Sequence, residues 1–303
     1  MNVVIDFGTI LTGILFVATP FLIVGIGISS IIQLYVPQER LLALYGRSFW
    51  RNYGISLGAG FLFPVCECGI VPIARGLAKK GVPTSAMVMF LLSAPVTNPI
   101  TLGATVVAFP ASPVVWIGRL LVAQAVVLAI GWIFQAYQSG KSAASVLTEE
   151  RDGMDVCDVP PLSARDVLRV LDTTYHEFRH VFPYVLIGGS ITSLLQLAIP
   201  KEYFLSLSGH PLLAIGSFMA LALVLSVCSS VDAFVILPFA AQIPFGALLA
   251  FLNFGPLIDV KNILLFRAYF TRRFQYAYFG IVTAVTFLVV WLLGYYLSAF
   301  FPL

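Results

Sequence analysis

The chain has 303 residues, of which 59% are hydrophobic and 10% are charged, and its formal net charge at pH 7 is +3. Soluble domains carry about 25% charged residues, so this composition excludes an ordinary soluble enzyme or binding domain. Apolar stretches long enough to cross about 30 Å of hydrocarbon recur along the sequence. The composition therefore predicts an all-α polytopic membrane protein that is surrounded by lipid and has no nucleic-acid partner.

The first predicted element is the apolar segment MNVVIDFGTILTGILFVATP. No Lys or Arg precedes its apolar run, and it lacks the small-residue cleavage site of a signal peptide. We therefore expect it to be retained as the first membrane span.

The segment that follows begins an internal repeat. PFLIVGIGISSIIQLYVP (20–37) aligns with PYVLIGGSITSLLQLAIP (183–200), with both prolines and the glutamine recurring 163 positions later. Farther along the two copies, Cys66 aligns with Cys228 and Asn98 aligns with Asp259. Prolines and cysteines that recur at a nearly constant offset indicate two copies of one structural unit.

Each copy contains long apolar spans, one segment interrupted at a cysteine, and one interrupted at a proline. We expect a first transmembrane repeat over 1–137 and a second over 181–303. Between them, 138–180 is the only strongly charged region of the sequence. It predicts a cytoplasmic linker that ends in an amphipathic helix, RDVLRVLDTTYHEFRH, on the membrane surface.

The positively charged residues favour one topology. If the cysteine segments are re-entrant hairpins, fourteen Lys and Arg residues lie on the linker side and only Lys201 lies on the other. This asymmetry matches the positive-inside rule, whereas four crossings per half give no bias. Three crossings per half is an odd number, and a hairpin adds none, so the second half enters the membrane upside down relative to the first. We therefore expect inverted repeats with both termini outside. Four crossings per half in a parallel repeat remains the alternative.

Polar groups within the apolar segments concentrate at these interruptions, where PVCECG carries two thiols around one carboxylate. Charged groups in hydrocarbon are costly, so we interpret these residues as lining a central cavity. Soft sulfur ligands suit a thiophilic solute, and Glu67 is the candidate site of a coupling proton. The candidate substrate-binding residues are Cys66, Glu67, Cys68, Asn98, Cys228, Asp232 and Asp259.

Structural interpretations of the same residues stay open. Glu67 and Asn98 could cap broken helices, and Cys228 could be a small buried hydrophobe. Asp259 and Lys261 could form an ion pair at a helix break. We interpret the remaining intramembrane cation, Arg119, as a structural partner of a carboxylate or a carbonyl rather than as a ligand.

The stretch FPVCECGIVPIARGLAKKGVPTSAMVMFLLSAPVTNPIT resembles the signature of the predicted permease family that includes YraQ and the ArsP-type organoarsenical efflux permeases. The resemblance covers the whole chain and implies an inner-membrane permease, some of whose relatives export trivalent organoarsenicals. It carries over to Cys66, Glu67, Cys68, Pro95 and Asn98, which match the motif.

We therefore expect a secondary transporter, not an enzyme, that exports a small thiophilic solute with proton coupling. No nucleotide loop, metal motif or cofactor motif accompanies it. The alternatives are a permease for a sulfur-containing or oxyanionic molecule, a membrane thiol oxidoreductase, and the membrane subunit of a larger complex. A homo-oligomer, or a partner protein bound through the linker, is compatible with the sequence.

Overall fold

The computed structural model describes residues 3–35, 38–45, 48–62, 67–137, 143–147, 164–198 and 210–300. Its helices, in chain order, are α1 (Val3–Tyr35), α2 (Gln38–Leu44), α3 (Phe49–Leu62), α4 (Glu67–Lys79), α5 (Thr84–Thr97), α6 (Pro99–Ala108), α7 (Pro113–Tyr137), α8 (Ala164–Ala198), α9 (Pro211–Leu225), α10 (Asp232–Ile236), α11 (Phe245–Phe254), α12 (Val260–Tyr269) and α13 (Arg272–Phe300). The expectation of an all-α membrane protein is confirmed.

Five helical stretches in the described part of the chain are long and apolar enough to cross a membrane. They are Ile5–Ile31, Thr84–Ala108, Pro113–Tyr137, Val170–Leu197 and Arg272–Gly294. The second stretch joins α5 to α6. Its counterpart in the repeat consists of the shorter helices α11 and α12.

The break between α5 and α6 lies at Asn98. Its backbone has φ −56° and ψ 130°, and its side-chain oxygen accepts a hydrogen bond from the backbone N–H of Ile100 at 2.9 Å. A proline at the first position of α6 suits this start, because its missing N–H would have no partner there. In the second half, Asp259 caps α12 in the same manner by accepting from the N–H of Asn262.

The two longest packed helices, α1 and α8, correspond to each other in the sequence alignment of the two halves and run antiparallel. At one end, Thr174 donates to the Ser30 hydroxyl at 3.3 Å. At the other, Gly189 lies against the side chain of Ile14. Low residue numbers in α1 thus meet high residue numbers in α8.

Two glycines, also equivalent in the repeat, let this helix pair approach its neighbours. A Cβ added to Gly25 would lie 2.5 Å from the Cα of Gly69 in α4. A Cβ added to Gly188 would lie 3.0 Å from the Cα of Lys261 in α12. Because small residues allow close backbone contact between membrane helices, α1 packs along α4 and α8 packs along α12.

Residues 143–147 connect the two halves on one side of the molecule. The N–H of Ala143 donates to the carbonyl of Val82, between α4 and α5, at 3.0 Å. The carbonyl of Val146 accepts from the N–H of Thr271, between α12 and α13, at 2.9 Å. This short segment of the predicted linker therefore marks the linker side of the helix bundle.

The amphipathic stretch that the sequence predicts on the membrane surface differs in the structure. It forms the first turns of α8, which continues without interruption through Pro183 to Ala198. The face of these turns that carries Thr173 and Glu177 is buried against other helices, since these side chains are 7% and 8% exposed. Packing against the bundle explains why the segment continues as one helix.

Candidate functional site

Glu67 opens α4 and is almost fully buried, with 2% of its surface exposed. The first turn of a helix carries unpaired N–H groups and a partial positive charge, which favour a carboxylate there. The backbone of Gly25 lies against α4 two residues farther on. The carboxylate is therefore positioned both by the end of its own helix and by the close approach of α1.

Cys228 lies in the second half of the chain, in the loop that follows α9. This loop begins at Ser226, whose left-handed backbone (φ 45°, ψ 42°) ends α9. The Ser226 hydroxyl then accepts a hydrogen bond from the N–H of Val260 at 3.1 Å, which fixes the loop to the start of α12. As a result, the Cys228 thiol lies 3.7 Å from Oε2 of Glu67 and 3.6 Å from the Ser230 hydroxyl.

Lys261 joins this group from the first turn of α12. Its Nζ lies 3.3 Å from Oδ2 of Asp259 and 3.8 Å from Oε1 of Glu67. All three charged side chains are buried, and Lys261 is 4% exposed. An ammonium between two carboxylates reduces the cost of burying them, so these residues form one electrostatic unit. We call Glu67, Cys228, Asp259 and Lys261 the central cluster.

A cavity of about 210 Å³ adjoins the central cluster. Most of its surface is apolar, and Glu67, Gln196 and Lys261 are among its polar lining residues. The lining residues are Gly13, Ile14, Ala18, Glu67, Gln196, Leu225, Ser226, Val227, Cys228, Val231 and Lys261. Such a lining suits a small solute that has an apolar part and one group able to bind a thiol or a charge.

The structure brings together three of the predicted site residues, namely Glu67, Cys228 and Asp259. Cys66 lies outside the described residues, and Cys68 is described only as part of the backbone of α4. From the sequence, Lys261 was expected only as an ion-pair partner of Asp259. Its repeat equivalent is apolar Ile100, and this difference between the copies was the available signal that Lys261 has a role of its own.

Asn98 and Asp232 are not among the residues that line this cavity. Asn98 caps α6, which agrees with its alternative interpretation as a helix cap. Asp232 forms a two-point ion pair with Arg119, with nitrogen–oxygen distances of 2.6 and 3.0 Å. Arg119 also donates to the Thr105 hydroxyl at 2.7 Å, and its side chain is completely buried. This pair connects α7 of the first half to α10 of the second.

A second charged cluster, which the sequence analysis missed, lies on the linker side of the bundle. Arg75 of α4 is 3.5 Å from the carboxylate of Glu177 in α8. Its guanidinium also lies over the ring of Tyr269 in α12, 4.6 Å from the ring centre. The contact combines an ion pair with a cation–π interaction and joins three helices. We call Arg75, Glu177 and Tyr269 the linker-side clamp.

In the described part of the chain, no group of three or more His, Cys, Asp or Glu side chains is arranged to hold a metal ion. The chemistry that the central cluster offers is a thiol beside a carboxylate, together with an ammonium held by a second carboxylate. This arrangement can bind a thiophilic or polar solute and can move a proton between sulfur and oxygen.

Comparison with known proteins assigns the chain to a family. A family model described as a predicted permease, ArsP_1, matches residues 4–295. The UPF0718 protein YcgR of Bacillus subtilis (strain 168) is 35% identical over 272 residues, which cover 90% of this chain and 91% of that protein. A Streptococcus mutans protein named as a subunit of a two-component membrane permease complex is 27% identical over 94% of both chains.

The UPF0718 protein YraQ of Escherichia coli (strain K12) is 34% identical over 82 residues, which cover 26% of this chain and 23% of that protein. No solved structure matches the chain at a significant level. The family match covers nearly the whole sequence and agrees with the five apolar helices. This multi-pass membrane protein therefore belongs to the predicted permease family ArsP_1.

Proposed function

We propose that this permease is a secondary transporter that exports a small thiophilic solute, such as a trivalent organoarsenical, across the inner membrane. The observation that carries the proposal is the meeting of the Cys228 thiol and the Glu67 carboxylate, 3.7 Å apart, beside a largely apolar cavity. A soft trivalent centre binds sulfur, while its organic group needs apolar surroundings.

The central cluster supports a defined binding step. When a trivalent arsenic hydroxide binds Cys228, an arsenic–sulfur bond forms, the S–H and As–O bonds break, and water leaves. Glu67 can take the thiol proton and pass it to the departing hydroxide. Cys66 and Cys68 are proposed as further soft ligands. Proton coupling through Glu67 is proposed on the same geometry, because this carboxylate lies between a thiol and an ammonium.

The architecture that we propose consists of inverted repeats over 1–137 and 181–303, each with three crossings and one re-entrant hairpin. The antiparallel course of α1 and α8, which are repeat equivalents, supports this inversion. Helices broken at mid-membrane are typical of transporters built in this way. The proposed orientation has a cytoplasmic linker over 138–180 and both termini outside, with Asn98 and Asp259 capping the broken helices.

Lys261 favours a second candidate, a permease for an oxyanionic or sulfur-containing molecule, because this cationic residue is part of the cavity lining. The name of the Streptococcus mutans relative also supports a partner protein, for which we propose the linker as the binding region. We propose that Asp232, through its ion pair with Arg119, holds α10 in position next to the site.

The test is uptake of methylarsenite into everted membrane vesicles that carry wild-type protein, Cys228→Ser or Cys157→Ser. Cys157, in the sequence of the predicted linker, supplies the matched control. We expect uptake by wild-type protein and by Cys157→Ser, collapse of uptake when a protonophore is added, and loss of uptake in Cys228→Ser. No uptake by folded wild-type protein would dismiss the organoarsenical. Uptake that continues in Cys228→Ser would dismiss this thiol as a ligand.

A further inference from the structure

The α1–α8 pair packs on one of two surfaces that correspond to each other in the sequence repeat. In the present structure α1 lies on α4 and α8 lies on α12, and we call this surface the occupied seat. The repeat relation maps α4 onto α10 and the turn after it, and α12 onto α6. An equivalent surface therefore exists on α10 and α6, and we call it the vacant seat.

The residues that would receive the helix pair on the vacant seat are exposed. Gly69, which receives Gly25, corresponds to Val231 in the second repeat. Lys261, which receives Gly188, corresponds to Ile100 in the first. Val231 is 40% exposed and Ile100 is 46% exposed, whereas their counterparts on the occupied seat are buried.

A buried hydroxyl points to the same surface. On the occupied seat, Ser29 donates a hydrogen bond to the carbonyl of Pro72 at 2.8 Å. The repeat equivalent of Ser29 is Thr192, which is fully buried and whose hydroxyl has no hydrogen-bond partner among the described residues. The repeat equivalent of Pro72 is Phe234, which is 43% exposed. An unpaired buried hydroxyl is costly, and the Phe234 carbonyl would satisfy it.

We propose that the vacant seat is a second binding surface for the α1–α8 pair, and that transport moves this pair from one seat to the other. In the second state Gly188 packs on Val231, Gly25 packs on Ile100, and Thr192 donates to the carbonyl of Phe234. The inference rests on the inverted repeats proposed above and does not depend on the identity of the solute.

The move has a direct consequence for access to the central cluster. The cavity lies between the α1–α8 pair and the loop that carries Cys228 and Val231, near Ile14 and Gln196. These residues lie at the end of the pair that is far from the linker, whereas the linker-side clamp joins α8 to α4 near Glu177. Movement onto the vacant seat closes the cavity on the far side and requires the clamp to open on the linker side.

Cross-linking in membranes tests the proposal without any solute. The full-length chain, with Cys66, Cys68, Cys157 and Cys228 changed to serine, receives Thr192→Cys together with Phe234→Cys, and a short bifunctional thiol reagent is added. The matched control is Leu194→Cys with Phe234→Cys. Leu194 is 58% exposed and lies two residues away, on another face of α8.

We expect a cross-link in the 192–234 pair and none in the 194–234 pair. Adding Glu177→Gln, which removes the ion pair of the clamp, should raise the yield of the 192–234 link at least about tenfold. The same change should lower labelling of Val231→Cys by a water-soluble thiol reagent, because Gly188 then covers that position. A 192–234 yield no higher than that of the control, or Val231→Cys labelling unchanged by Glu177→Gln, would overturn the proposal.

The outcomes separate this inference from the proposed function. Cross-linking as expected, together with no transport of methylarsenite, would dismiss the solute and keep the second seat. Transport that depends on Cys228, together with no specific cross-link, would dismiss the second seat and keep the solute.

Discussion

Glu67 and Lys261 come from different halves of the chain, and their buried side chains lie 3.8 Å apart beside one cavity. Glu67 opens a helix of the first half, and Lys261 lies in the first turn of a helix of the second half. Asp259 holds the ammonium from the other side at 3.3 Å. One buried cation is thus shared by carboxylates from the two halves of the chain.

Lys261→Met should destabilise the protein, because it leaves Glu67 and Asp259 without their shared cation. Breaking a buried ion pair typically costs about 3–5 kcal/mol. Thermal unfolding in detergent measures the loss. The double variant Lys261→Met with Asp259→Asn should recover part of the stability, and a double variant no more stable than Lys261→Met alone would contradict the pairing.

Arg119→Leu should also destabilise the protein strongly, because it leaves the Asp232 carboxylate buried without a partner. The expected loss is again about 3–5 kcal/mol. Replacing both residues, as Arg119→Leu with Asp232→Leu, should restore folding. Size-exclusion chromatography and thermal unfolding of the three variants measure the effect. A double variant as poorly folded as Arg119→Leu would show that the unpaired Asp232 carboxylate is not the cause of the instability.

Cys228→Ser should abolish transport while leaving the fold intact, because serine preserves the hydrogen bond to Glu67 but removes the soft sulfur. We expect at least about a tenfold loss of initial uptake, which corresponds to about 1.4 kcal/mol. Everted-vesicle uptake measures this, with Cys157→Ser as the matched cysteine control. Equal losses in the two variants would point to a general effect of losing a thiol.

Gly25→Ala should weaken the packing of α1 on α4, because the added Cβ would lie 2.5 Å from backbone atoms that cannot give way. Overpacking of this kind costs about 1–3 kcal/mol. Gly27→Ala is the matched control, since a Cβ at that position meets nothing within 4 Å. Thermal unfolding should separate the two variants, and equal stabilities would contradict the close approach.

Some of this architecture was predictable from the sequence, and some was not. The alignment of Asn98 with Asp259 predicted where two helices break, because prolines and capping residues act locally. The partner of Arg119 and the contact between Glu67 and Cys228 depend on how distant helices pack. No local rule specifies such contacts. The linker-side clamp was missed for the same reason, because Arg75, Glu177 and Tyr269 are far apart in the sequence.

The pairing of Arg119 with Asp232 also constrains how the protein is made. Arg119 is synthesised 113 residues before its counter-ion. A charged arginine within a bilayer costs at least about 2.5–3.5 kcal/mol, so the first half is less stable in the membrane until the second half supplies the Asp232 carboxylate. The two halves therefore depend on each other during biogenesis. Fragments cut within the linker should accumulate in the membrane only when both are expressed together.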